Sequence, residues 1–251
     1  MNGTAATPQV DNSAAGAVYK GLALANTAVG PLLYAANFNA GRIDVFNGTF
    51  APTTVPGAFT DSSLPSGYAP FNIQTLGGNL FVTYAQQDLV KHDDVAGAGH
   101  GFVDVFDPNG TLLRRLVAQG PLNSPWGLSI APGHFGPFSD ALLVGNFGDG
   151  RINAFDPTTG QFLGSLLDQN GKPIVIEGLW GLQVGNGVAG GDLNTVYFTA
   201  GIPGGGNIED HGLFGGLVFV PEPTTGVLLG SALAFGFGWQ VRGRLRSGKA
   251  T

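Results

Sequence analysis

The chain has 251 residues, with 43 Gly, 16 Pro and no Cys, and 43% of its residues are hydrophobic. The lack of cysteine excludes disulfides, thiolate nucleophiles and zinc–thiolate sites. Residues 1–220 carry 7 Lys and Arg against 16 Asp and Glu, a formal charge of −9 that argues against nucleic acid as a partner. The hydrophobic content predicts a packed core, and the glycines predict short strands with tight turns.

Residues 1–18 are small and polar without periodicity, which predicts a linker or the remnant of a missing N-terminal part. Met1–Lys20 has no positively charged segment followed by an apolar one, so the chain shows no signal peptide. The C-terminal tail, residues 221–251, predicts export. We therefore expect the N-terminus of this sequence to be incomplete.

A repeat of about 50 residues follows the linker. Its opening segments begin at Gly21, Asn72, Gly127 and Gly181, which gives spacings of 51, 55 and 54 residues. These openings divide residues 19–220 into approximate copies at 19–67, 68–122, 123–176 and 177–220. Trp126 and Trp180 precede the last two openings, and we expect both to pack between repeats.

Each copy is predicted to contain several short strands. Apolar second strands are expected at Leu32–Ala36, Leu80–Tyr84, Ala141–Val144 and Thr195–Thr199. Third strands are expected at Gly41–Phe46, Gly101–Phe106, Gly150–Phe155 and, less regularly, Gly216–Val220. Closing strands are expected at Leu112–Val117, Phe162–Leu167 and, less clearly, Thr54–Phe59. Four short strands in a repeat of this length indicate the blades of an all-β propeller, with a β-sandwich as the alternative.

These copies resemble the blades of NHL-type propellers. The resemblance is carried by the Trp-Gly-Leu openings and by the segment Asn-Phe-x-x-Gly-Arg-Ile at Asn37–Ile43 and Asn146–Ile152. It extends to a group of bacterial propeller proteins that have no assigned activity and look longer at the N-terminus. The resemblance thus implies an NHL-like β-propeller of about four blades, taken from a parent of six.

Two long loops contain the side chains that could ligate a metal. Gln86–His100 includes His92, Asp93 and Asp94, and Gly201–His211 includes Asp210 and His211. Such side chains bind Zn²⁺ or Ca²⁺, and some NHL-like propellers are metal-dependent. The alternative function is therefore a lactonase-like hydrolase or lyase. The favoured interpretation has no cofactor and no catalytic residue, since the chain lacks the usual metal and nucleophile motifs.

Asn37 and Asn146 stand in the first and third copies where the other two copies have their long loops. An Asn at a strand end usually bonds backbone groups in a turn, and we expect that role here. Arg42 and Arg151 are expected to bridge adjacent blades or to pair with acidic side chains at the surface.

The tail has three parts: the motif Pro221, Glu222 and Pro223, an uncharged hydrophobic segment over 224–241, and a basic end over 242–251 with Arg242, Arg244 and Arg246. This order resembles the PEP-CTERM sorting signal of exosortase substrates. The resemblance implies a transmembrane helix that anchors the protein transiently in the inner membrane. An exosortase-type membrane sortase would then process it, leaving it in the cell envelope or outside the cell.

The sequence therefore predicts an exported propeller of unknown biochemical activity. We expect a binding or interaction module whose partner is an extracellular polysaccharide or protein.

Overall fold

The computed structural model describes residues 6–203 and 209–221. Its contacts divide the chain into two units, Met1–Val218 and Phe219–Thr251. All the strands described below belong to the first unit. Of the second unit only Phe219–Pro221 are described, and these three residues form neither helix nor strand.

Four antiparallel sheets form the four blades. Blade 1 contains β1 (Tyr19–Thr27), β2 (Gly30–Asn37), β3 (Arg42–Phe46) and β4 (Pro52–Thr53). Blade 2 contains β5 (Tyr68–Leu76), β6 (Asn79–Gln86), β7 (Phe102–Phe106) and β8 (Leu112–Ala118). Blade 3 contains β9 (Pro125–Ile130), β10 (Leu142–Asn146), β11 (Ile152–Phe155) and β12 (Phe162–Ser165). Blade 4 contains β13 (Leu179–Val184), β14 (Val196–Ile202) and β15 (His211–Leu217). Two short 3₁₀ helices lie outside this blade, at Ser13–Ala15 before β1 and at Gly136–Phe138 between β9 and β10.

Within each blade the strands follow one another in chain order, and the first strands β1, β5, β9 and β13 pack successively against one another. This is the propeller-like, all-β arrangement that the repeat predicted. Hydrophobic cores fill the three junctions between consecutive blades. They contain Tyr34 and Val82 between blades 1 and 2, Val105 and Phe155 between blades 2 and 3, and Ile152 and Phe198 between blades 3 and 4.

Glycine lets the innermost strands approach one another closely. A Cβ on Gly21 would lie 2.7 Å from the Cα of Asn72 in β5, and a Cβ on Gly127 would lie 2.7 Å from the carbonyl oxygen of Trp180 in β13. Any larger side chain there would push neighbouring backbones apart. At Gly21 and Gly127, the lack of a side chain is therefore a packing requirement of adjacent blades.

Two strand predictions need correction. The closing strand of blade 1, predicted at 54–59, is Pro52–Thr53, because only Val45 and Phe46 of β3 find partners there. The third strand of blade 4, predicted at 216–220, is His211–Leu217, which pairs with β14 from Ile202↔His211 to Val196↔Leu217. That strand is rich in glycine and mostly exposed, so its sequence lacks the apolar pattern by which strands are found.

Across residues 6–203 and 209–221 the structure has no helix long and apolar enough to cross a membrane. The predicted transmembrane segment 224–241 lies outside these ranges, and so do Glu222, Pro223, Arg242, Arg244 and Arg246. Of the sorting motif, only Pro221 is described.

Candidate functional site

An aromatic cluster joins residues of all four blades. It brings together Phe38, Phe71, Phe147, Trp126 and Trp180 from all four blades. Ring centroids lie 4.4 Å apart for Phe147 and Trp180 and 5.2 Å apart for Trp126 and Trp180, and the Trp126 Nε1 donates a hydrogen bond of 3.0 Å to the Lys20 carbonyl oxygen. The two tryptophans thus pack between blades, as predicted.

A cavity of about 250 Å³ borders this cluster. Its wall is formed by the inner strands β5, β9 and β13 and by the second and third strands of blade 4. The residues that line it are all without acidic or basic side chains: Asn72, Gln74, Trp126, Leu128, Gly181, Leu182, Gln183, Tyr197, Phe198, Thr199 and Phe214.

The cavity combines amide groups with aromatic faces. Asn72 is buried, and its Nδ2 donates to the Trp126 carbonyl oxygen at 2.7 Å, so this amide fixes the wall. Gln74 and Gln183 add amides that can both donate and accept hydrogen bonds. Tyr197 and Phe214 stack with centroids 5.6 Å apart and planes 6° apart, which makes a flat aromatic platform at the edge of the cavity.

The first predicted metal-ligand group lies between β6 and β7. His92 Nδ1 is 3.1 Å from Asp93 Oδ2, and Asp93 Oδ1 is 3.0 Å from Lys20 Nζ. Hydrogen bonds from His92 and Lys20 lower the pKa of Asp93, whereas burial raises the pKa of Asp94. Asp93 is thus already paired with cationic or polar neighbours.

The second group is Asp210 and His211, at the connection between β14 and β15. His211 was predicted in a loop, but it begins β15 opposite Ile202 and is exposed. In the described part of the chain no three His, Asp or Glu side chains come close enough together to hold a metal ion. A metal site at these five residues remains a prediction, which zinc and calcium titration of wild-type and His92→Ala proteins would test.

The two asparagines of the short loops are tied to backbone, as expected. Asn37 Oδ1 accepts hydrogen bonds from the backbone nitrogens of Val18 and Ala40, and Asn146 Nδ2 donates to the Pro121 carbonyl oxygen at 2.9 Å. Arg42 pairs with Asp44 of its own strand, with Nε 2.6 Å from Oδ1. Of the two predictions for Arg42, pairing with an acidic side chain at the surface is the one that the structure shows.

Sequence reasoning missed a buried charge cluster in blade 2. Arg115 Nε lies 3.2 Å from Asp104 Oδ1, its Nη2 contacts Asp61, and its Nη1 donates to the Ser63 carbonyl oxygen. Burial raises the pKa of Asp104 to about 7; the Arg115 charge opposes this shift and the Asp61 charge adds to it. The available signal was an aspartate in the middle of the apolar strand Phe102–Phe106.

The chain resembles known proteins over most of its length. It is 39% identical over 188 residues to one uncharacterized protein of Acanthamoeba polyphaga mimivirus and 37% identical over 187 residues to another. Each match covers 73% of this chain but only 44% and 48% of the relatives, so the chain spans less than half of their length. No family model matches the sequence.

Solved structures with similar folds are more distant. A Bacteroides caccae protein of unknown function matches with a TM-score of 0.45 and 11% identity, covering 74% of this chain and 54% of that one. A Xanthomonas campestris gluconolactonase matches with a TM-score of 0.41 and 13% identity, covering 67% and 65%. Virginiamycin B lyase from Staphylococcus aureus matches with a TM-score of 0.37 and 12% identity, covering 80% and 56%. At such scores these similarities identify neither an activity nor a ligand.

Proposed function

We propose that this propeller is a binding module for an uncharged ligand, and that the ligand is a segment of polysaccharide. The observation that carries the proposal is the composition of the cavity wall. Among the residues that the structure describes, it presents amides and aromatic rings and has no acidic or basic side chain. Charged ligands would enter such a site without an opposite charge to compensate the loss of water, which is costly.

Aromatic faces and amides together suit a sugar ring. The C–H faces of a pyranose can lie on rings such as Trp126 and Phe214, while its hydroxyls pair with the amides of Gln74 and Gln183. The volume of about 250 Å³ is slightly below the range of about 300–1,000 Å³ of sites for drug-sized ligands. It therefore suits one ring of a chain better than a long oligosaccharide.

The same wall argues for binding without cleavage. Glycoside hydrolysis ordinarily needs two carboxyl groups on either side of the scissile bond. No carboxyl group is among the lining residues in the described ranges 6–203 and 209–221. From these described residues, a ligand held here would meet hydrogen-bonding groups but no general acid, base or nucleophilic carboxylate.

Calorimetric titration with neutral and uronic-acid oligosaccharides tests this proposal. We expect saturable binding of a neutral saccharide and weaker binding of its acidic counterpart. Gln74→Leu should lower affinity about tenfold, the equivalent of one hydrogen bond of about 1.4 kcal/mol. Gln161→Leu is the matched control, because Gln161 is an exposed amide directly before β12 and is not one of the lining residues. Equal losses in both variants, or no saturable binding, would contradict the proposal.

We further propose that the protein is exported and sorted through its tail. The support is the sequence order of Pro221-Glu222-Pro223, the uncharged segment 224–241 and the basic end with Arg242, Arg244 and Arg246. The viral relatives add no support for a bacterial sorting signal. The location would be the envelope, with an exosortase-type membrane sortase as the processing partner and the inner membrane as a transient anchor.

A cell that contains an exosortase provides the test. The chain, supplied with an export signal, should fractionate with membranes and then shorten at its C-terminus. Replacing Pro221, Glu222 and Pro223 by alanine should leave the full-length form in the membrane. Absence of any processed product from the unsubstituted chain would overturn the sorting proposal and leave the ligand proposal untouched.

A further inference from the structure

The first blade exposes a residue that every other blade buries. Leu22 of β1 lies opposite Ala35 of the second strand. In the other blades, the first-strand residues opposite the equivalent second-strand residues are Ile73, Leu128 and Leu182. These four side chains therefore occupy the same position of the repeat. Ile73, Leu128 and Leu182 lie in the core shared with the preceding blade and are 0%, 1% and 4% exposed. Leu22 is 59% exposed, and Leu24 beside it is 57% exposed.

The last blade shows the converse on its other face. Phe214 of β15 lies opposite Thr199 of the second strand. The residues at the equivalent position of the other third strands are Ile43, Val103 and Ile152. Those three residues lie in the core shared with the following blade and are 8%, 0% and 0% exposed. Phe214 is 68% exposed.

The chain thus contains both halves of a fourth junction without joining them. We call the face with Leu22 and Leu24 the first-blade flank, and the face with Tyr197 and Phe214 the last-blade flank. Both are apolar at these positions. In the described ranges, the aromatic cluster with Phe38 and Trp180 is the one hydrophobic core with residues of both blade 1 and blade 4, and no core includes these four flank residues. Exposed apolar faces at positions built for packing mark interaction surfaces.

We infer that the partner of these flanks is a second copy of this chain. Every internal junction joins a face of the first-blade type to a face of the last-blade type. Two copies related by a twofold axis place the first-blade flank of each on the last-blade flank of the other, and so satisfy all four flanks at once. Because Tyr197 and Phe214 also line the cavity, blade 1 of the partner would close that side of it.

Light scattering on the full-length chain over a range of concentrations tests this inference. We expect a dimer for the wild-type protein and monomers for Leu22→Asp and Phe214→Asp, since each substitution places a charge in both junctions of a symmetric pair. Mixing the two variants should restore a dimer, because one junction then has native residues on both sides. Leu89→Asp is the control: Leu89 is fully exposed in the β6–β7 connection and should leave the dimer intact.

Cysteine cross-linking distinguishes the remaining arrangements, and the chain has no native cysteine to interfere. Mixed Leu22→Cys and Phe214→Cys proteins should form a disulfide between chains. A doubly substituted chain that instead links to itself would mean that its own blades 1 and 4 meet, and this would overturn the inference. A wild-type chain that stays monomeric, or a dimer that survives both aspartate substitutions, would also overturn it.

Discussion

Strands β7 and β15 are both the third strand of their blade, yet all five residues of β7 are buried and none of the seven residues of β15 is. β7 lies between β6 and β8 and has a blade on each side, whereas β15 is the last strand of its sheet and has a blade on one side. The comparison teaches that burial in this fold comes from the neighbouring blades. The repeat sequence determines that a strand forms, but how much that strand contributes to stability depends on whether its blade has a neighbour on one side or on both.

Truncating one phenylalanine in blade 2 and one in blade 4 should give the largest difference in stability. Phe106 of β7 is fully buried against Phe59, with ring centroids 5.3 Å apart, and Phe106→Ala should cost about 3–5 kcal/mol of unfolding free energy. Phe214→Ala in β15 should cost less than about 0.5 kcal/mol in dilute monomeric protein, because its ring is mostly exposed. Urea denaturation measures both. Similar losses would show that blade 4 is packed as tightly as blade 2.

The buried cluster of blade 2 predicts that the stability of the protein depends on pH. Burial raises the pKa of Asp104 to about 7 from its usual 3.8, so the folded state binds a proton that the unfolded state releases. Stability from this group is therefore greatest in acid and falls as the pH rises towards and through 7. Between pH 5 and 8 the fall should be about 2 kcal/mol, and Asp104→Asn should abolish it. Melting temperatures recorded across this range provide the measurement.

Asp44 is the matched control, since it occupies in blade 1 the position that Asp104 occupies in blade 2. Asp44 lies opposite Ala35 of β2, and Asp104 lies opposite Val82 of β6. Partial burial acts to raise its pKa, but hydrogen bonds from Arg42, Asn37 and Tyr19 leave the pKa lowered. Its contribution is present above about pH 4 and lost in acid, which is the opposite sign. Asp44→Asn should therefore destabilise the protein at neutral pH. A gain at neutral pH in this variant would mean that the two aspartates share one environment.

Close approach of the inner strands gives a smaller effect. Gly127→Ala places a Cβ 2.7 Å from the Trp180 carbonyl oxygen, and the required backbone shift should cost about 1–3 kcal/mol. Gly212→Ala in β15 is the control, because no atom of the described part of the chain lies within 4 Å of the position of its Cβ. Thermal denaturation compares the two. An intact melting temperature in Gly127→Ala would show that blades 3 and 4 can separate at their inner strands without loss.

The sequence was sufficient to predict the blades, because each repeats an opening segment, begun by Gly in three of the four copies, and an apolar second strand. It missed the true extent of β15, whose glycines lack a hydrophobic period, and it placed β4 too late in the chain. It also missed the pairing of Arg115 with Asp61, which lies 54 residues away and depends on how the connection after β4 folds back. The cavity could not be found for a similar reason: its wall combines Gln74, Trp126 and Gln183 from three repeats, and nothing in any one repeat marks them.

The smallest loss of stability is expected when Arg42 is removed from its exposed pair with Asp44. The buried pairing of Arg115 with Asp104 and Asp61 provides the comparison. Arg42 reaches Asp44 at 2.6 Å but is 66% exposed, so solvent screens the pair and Arg42→Ala should cost less than about 1 kcal/mol. Arg115→Ala would leave Asp104 and Asp61 buried without their cation, and its cost should be several times larger. Chemical denaturation at low and high salt compares them. We expect salt to remove most of the Arg42 effect and little of the Arg115 effect, because ions screen exposed pairs far better than buried ones.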